Sequence, residues 1–118
     1  MRESTFKPVV VIDCPRNRIR IHRNALHLLG DPDYILLMVN PKNLTFAILP
    51  SAKHPIAHAV TLNSQSVELY SKPLIRQLCQ ICPGWNGTQK LRMAGEYIRE
   101  ENLVRFHLMK AEERNIRS

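Results

Sequence analysis

The sequence predicts a mostly β fold, a β-rich α+β domain built from two ββαββ units with two short helices. Three observations predict it. Short apolar or alternating runs fill residues 9–51 between turn formers, a helical period interrupts them once, and the same order of runs recurs in residues 57–110. A chain of 118 residues supports one domain with a modest core. The expected organisation is a single domain, 1–118, with a first unit at 8–51 and a second at 57–110.

In the first unit, Val9-Val10-Val11-Ile12 is β-branched and apolar and favours a buried strand. Cys14-Pro15-Arg16-Asn17 follows as a turn, because Pro15 presets φ and Asn17 tolerates the left-handed region. Arg18 to Ile21 alternates charged and apolar side chains, the pattern of a half-buried strand. From His22 to Leu29 the period changes, placing Ala25, Leu26 and Leu29 on one helical face. Gly30 stops that helix and Pro32 prevents it from resuming. Tyr34 to Val39 is an unbroken apolar run and is expected to be a strand buried on both faces. The turn Asn40-Pro41-Lys42-Asn43 then returns the chain along Leu44 to Leu49.

Ser51 to Pro55 reads as a linker, with turn formers and no period. The second unit begins with an expected strand at Ala57 to Leu62, a turn at Asn63-Ser64-Gln65, and a strand in which Val67 and Leu69 alternate with Glu68 and Tyr70. Val67 and Leu69 lie 48 residues after Ile19 and Ile21 (67 − 19 and 69 − 21). Ser71 is an expected helix cap with Pro73 in the first turn. Leu74, Ile75, Leu78, Cys79 and Cys82 fall at helical spacing, which places the Cys79-Gln80-Ile81-Cys82 pair in a core rather than in a metal or redox site. After Pro83-Gly84, Trp85 is expected to fold back over a core edge. Leu91, Met93 and Tyr97 line one further strand, and Val104, Phe106 and Leu108 the last. The charged tail from Ala111 to Ser118 is expected to be frayed or helical, and its Arg114 and Arg117 are candidates for added phosphate contacts.

Composition narrows the function classes. Seventeen Lys and Arg against ten Asp and Glu give a formal charge of +7, which favours polyanionic partners. The charge is concentrated between Cys14 and Arg23, which holds Arg16, Arg18, Arg20 and Arg23 beside His22 and no acid. No apolar run is long enough to cross a bilayer, and Met1 to Lys7 lacks the apolar centre of a signal peptide. Three cysteines cannot all pair within one chain, so a reduced, cytoplasmic setting is the simpler expectation. The five histidines are scattered, and no zinc-protease, phosphate-loop or nucleophile-elbow motif is present, so no catalytic residue is nominated. No cofactor or metal is expected.

The ββαββ order over residues 9–51 resembles the AbrB-type swapped-hairpin domain, a small DNA-binding fold also found in MazE-like antitoxins. The resemblance is carried by Arg18-Ile19-Arg20-Ile21, where the family has a Gly-Arg-Val-x-Ile-Pro strand, by Leu29-Gly30, where it closes its helix, and by the apolar hairpin from Tyr34 to Leu49. Asn17 replaces the family's turn glycine and His22 its proline. The family forms its barrel from two chains with interleaved hairpins, which implies that one chain with two units builds a pseudo-two-fold, swapped-hairpin-like barrel alone. It also implies a transcriptional regulator that binds DNA. Arg18 matches the motif arginine, and Arg16, Arg20 and Arg23 join it by charge and spacing. Replacing Arg16, Arg18 and Arg20 together by Ala is then expected to abolish binding at a nearly unchanged melting temperature. The alternative is a non-catalytic protein-interaction module on the same fold, an antitoxin-like protein or a regulator's partner. The chain is expected to be a monomer or a homodimer, without membrane contact.

Overall fold

The computed structural model describes residues 7–61 and 65–114. Strand β1 (Val9–Asp13) turns through a 3-10 segment at Cys14–Arg16 into β2 (Arg18–His22). Asn17 closes that turn at φ 53°, the left-handed conformation an asparagine accepts at low cost. Helix α1 (Arg23–Leu28) follows, and Gly30 at φ +87° ends it. Strands β3 (Tyr34–Asn40) and β4 (Thr45–Ser51) form a hairpin through all seven residues of each.

The second half contains β5 (His58–Ala59), β6 (Ser66–Tyr70), α2 (Lys72–Ile81), β7 (Lys90–Ala94), β8 (Glu96–Ile98), β9 (Leu103–His107) and β10 (Glu112–Glu113). The hydroxyl of Ser71 accepts the Leu74 N–H at 3.3 Å and caps α2, with Pro73 in the first turn. Two antiparallel five-stranded sheets result, in the orders β10-β7-β1-β2-β6 and β5-β3-β4-β9-β8. Each sheet takes strands from both halves of the chain. The first is joined across the halves by β1 with β7 and β2 with β6, the second by β4 with β9 and β3 with β5.

The sheets share one core. Val10, Ile12, Ile19 and Ile21 of the first, and Ile35, Phe46, Ile48 and Phe106 of the second, are fully buried in it. The rings of Phe46 and Phe106 meet across the β4–β9 ladder with centroids 6.0 Å apart. Leu78, Cys82 and Trp85 add the α2 side of the same core, so Trp85 covers a core edge as expected.

Five expectations are corrected. Tyr34 to Val39 is buried on one face only: Ile35 is inaccessible while Met38 is 51% exposed, because nothing among the described residues covers the outer side of the second sheet. The strand expected at Ala57 to Leu62 is reduced to β5, which pairs with β3 and not with β6. The single strand expected through Leu91 and Tyr97 is two. Gly95 lies so close to β9 that a Cβ there would stand 2.6 Å from the Arg105 carbonyl oxygen, and the chain passes from one sheet to the other at that point. Leu108 ends in a 3-10 turn rather than in the last strand, although it is fully buried. The tail contributes β10, paired with β7, so it is neither frayed nor helical at Glu112 and Glu113. Leu62, Asn63, Ser64 and residues 115–118 lie outside the described residues.

Candidate nucleic-acid interface

The outer face of the first sheet collects the charge. Along β1, Val10 and Ile12 point into the core, which turns Val9, Val11 and Asp13 outward. In the ladder, Asp13 stands between Arg18 on one side and Lys90 on the other. One step along, Val11 stands between Arg20 and Arg92, with Glu68 beyond Arg20 and Glu112 beyond Arg92. Val11 is only 5% exposed although it faces outward, since long arginine stems flank it. The Arg114 N–H donates to the Lys90 carbonyl and brings a further arginine to the same edge.

The four arginines nominated from the sequence are not equivalent. Arg18 is mostly buried, and its Nη2 donates to Asp13 Oδ2 at 2.8 Å. Arg16 donates to the same oxygen at 3.2 Å, but its side chain is 65% exposed. Arg20 directs Nε and Nη2 at Glu68 Oε2, at 3.1 and 2.9 Å. Arg23 is exposed at the start of α1. The stretch that holds no acid in sequence is therefore supplied with two acids in space, Asp13 from the strand before it and Glu68 from the opposite strand. Burial works against the charge on Arg18, but the bonds to Asp13 and Tyr70 outweigh it and raise its pKa above the usual arginine value. Arg18 thus holds a buried carboxylate in place, and its removal is expected to lower the melting temperature rather than leave it nearly unchanged.

At one end of this face the chain leaves a groove of about 440 Å³ between β2, α1 and the start of β6. It is lined by Arg20, His22, Arg23, Asn24, His27, Gln65 and Ser66, with no carboxylate among them. Burial first, and then the positive charges of Arg92, Arg20 and Arg114, lower the His22 pKa. The charged groups that act on the imidazole are all cations.

The sequence reading missed Lys90 and Arg92, whereas Arg114 is named there as a tail residue that adds phosphate contacts. The alternation of Lys90 and Arg92 with Leu91 and Met93 is visible in the sequence, but their place beside Arg18 and Arg20 depends on the β1–β7 pairing, which no local signal specifies.

The outer face of the second sheet differs. Leu36 and Met38 of β3 stand opposite Leu49 and Ala47 of β4, with Leu103 and Ile98 paired farther along. There Glu96 is approached by Arg105 at 3.1 Å and by His107 at 3.7 Å.

Cys14, Cys79 and Cys82 converge beneath the first turn. Burial, and then the adjacent Cys79, push the Cys14 thiol up to about 12, and burial pushes Cys82 up to about 11. Both are protonated and unreactive at neutral pH. Among the described residues, no group of three or more His, Cys, Asp or Glu side chains is placed to hold a metal ion, and no helix is long and apolar enough to cross a membrane.

The chain matches no protein-family model, no curated protein and no solved structure.

Proposed function

We propose that the protein is a small AbrB-like regulator that binds duplex DNA along the outer face of its first sheet. One observation carries the reading: Arg18 and Arg20 on β2, and Lys90 and Arg92 on β7, flank the same strand from opposite sides. Arg16, Arg23 and Arg114 extend that basic surface. The phosphate backbone supplies most of the affinity of such surfaces, and arginine suits it because its planar fork holds phosphate oxygens in pairs. Arg20 and Arg92 are the expected contacts, while Arg18 fixes the turn that presents Arg16.

The reading includes an internal duplication with swapped hairpins, and the strand register supports it. Arg20 stands opposite Glu68, 48 residues on, while Ile19 and Ile21 pair crosswise with Leu69 and Val67. That reciprocity is what a two-fold axis through the Arg20–Glu68 pair requires. In the other sheet, Met38 opposite Ala47 is matched by Glu96 opposite Arg105, each shifted by 58 (96 − 38 and 105 − 47), and Ala47 itself faces Arg105. Applying both shifts to the Val10–Met93 pair gives His58 and Ile35 (10 + 48 and 93 − 58), which are also paired. The ten extra positions of the second unit (58 − 48) fall between β6 and β8, where α2 has 10 residues against six in α1.

Fluorescence anisotropy with a labelled duplex tests the DNA reading. Arg20→Ala and Arg92→Ala should each weaken binding roughly tenfold, the loss of one charged hydrogen-bonded contact. Arg99→Ala, in the β8–β9 turn of the other sheet, should leave it unchanged. Equal affinity in all three variants would dismiss the assignment of this face.

A second reading, a non-catalytic interaction module, is favoured by the apolar outer face of the second sheet. A copy of this chain is the occupant that suits it. Two chains of charge +7 repel, and this face has its few charges paired. Sedimentation should then show a dimer that Met38→Glu converts to monomer, and a monomeric wild type would remove this reading.

A further inference from the structure

The groove of about 440 Å³ beside the basic sheet calls for its own ligand chemistry. Arg20 and Arg23 border it, and Asn24, Gln65 and Ser66 supply neutral polar groups on its walls. Two of the nitrogens of Arg20 are committed to Glu68 Oε2, which leaves Nη1 without that acid. Arg23 is exposed, and its backbone N–H is already bonded to the Gln65 carbonyl, so its guanidinium is the group it can offer. His27 is tied to Asp31 at 2.7 Å. Among the described residues His22 makes no such ion pair, and after burial the groups acting on it are the cations Arg92, Arg20 and Arg114. The chemistry is that of a phosphate seat: fixed cations, neutral hydrogen-bonding groups, and one imidazole that gains a proton when negative charge arrives.

We infer that this groove seats one backbone phosphate of the bound nucleic acid, held by Arg20 and Arg23, with His22 taking up a proton as the phosphate binds. The inference rests on the DNA reading above and adds two things to it, an anchoring point and a pH dependence. An incoming phosphate offsets the field of Arg20, Arg92 and Arg114, so the imidazolium form is favoured in the complex. Binding therefore tightens as pH falls toward the ordinary histidine range and loosens above it. Glu68 opposes this weakly through Arg20, and His27, bonded to Asp31 at 2.7 Å, is the other imidazole on the rim.

Two measurements on the full chain test the inference. In the first, the His22 imidazole is titrated by NMR alone, with inorganic pyrophosphate, and with a short duplex. The His22 titration should shift to higher pH with the duplex. In the second, duplex affinity is measured across a salt series at pH 6 and pH 8 for wild type, Arg23→Ala, His22→Gln and His27→Gln. Arg23→Ala should bind roughly tenfold more weakly, and its log–log salt slope should shrink by about 1, the loss of one phosphate contact. The gain at pH 6 should vanish in His22→Gln and persist in His27→Gln. Duplex binding that leaves His22 and the Arg23→Ala slope unmoved would overturn the phosphate seat while the DNA reading stood. A response of His22 to pyrophosphate but not to duplex would overturn the backbone assignment, since the seat would then serve a free phosphate compound. Absence of any duplex binding by the wild type would remove the DNA reading itself.

Discussion

Asp13 is buried to 2% and gives one carboxylate oxygen to two arginines, Arg16 and Arg18. The two partners should behave differently on truncation. Arg18→Ala leaves a buried charge without its main partner and is expected to cost about 3 kcal/mol. Arg16→Ala removes an exposed partner and should cost under about 1 kcal/mol. Chemical denaturation of the two variants separates them, and equal losses would mean that Asp13 does not depend on Arg18. His22 carries a second residue-scale expectation. Its folded pKa lies below the ordinary 6.5, so the unfolded chain takes up the proton first. The contribution of His22 to stability is complete above about pH 6.5 and is lost as pH falls below it. Melting curves from pH 8 to pH 5 should lose that component in His22→Gln.

At the scale of elements, the local signals served where the decision was local. Asn17 takes the left-handed turn position, Ser71 caps α2, and Cys79 and Cys82 extend its apolar face, each from side-chain chemistry within a few residues. Signals failed where a neighbour remote in sequence decided. The run Tyr34 to Val39 is apolar on both sides, but burial depends on what covers each side, and only the core side is covered among the described residues. Glu112 and Glu113 have little strand character of their own and extend because β7 offers an edge. Gly95 was silent in the sequence, yet the crossing from β7 to β8 depends on it. A Cβ would meet the Arg105 carbonyl oxygen and the Phe106 ring at 2.6 Å, and both lie in a packed ladder that cannot give way cheaply. Gly95→Ala should destabilise the protein by about 2–3 kcal/mol. A variant with wild-type stability would mean that the crossing is looser than the contacts indicate.

For the whole molecule, most of the order of elements was legible and the register between strands of the two halves was not. Periodicity placed the first ββαββ run and most of the second, but it carried no information on which residue meets which, and the candidate face exists only through those meetings. Glu68, which in sequence weakens the basic strip, has a physical reason in the duplicated reading. A two-fold axis through that ladder would set an arginine against its own copy in a homodimer, a like-charge contact that destabilises a sheet. A fused chain is free to place Glu68 there, and the Arg20 pair results. With Glu68 occupying two of its nitrogens, Arg20 keeps Nη1 toward the groove, and the remaining positive charge lies on β7, Arg16 and Arg23, an asymmetric surface suited to one approach direction. The most direct test of this account is the salt dependence of wild-type binding to duplex DNA by fluorescence anisotropy. Engagement of about six phosphates predicts a log–log slope of about −5, with Arg92→Ala lowering its magnitude by about 1. A flat line, or a slope that Arg92→Ala leaves untouched, would contradict the assignment of the first sheet's outer face to nucleic acid.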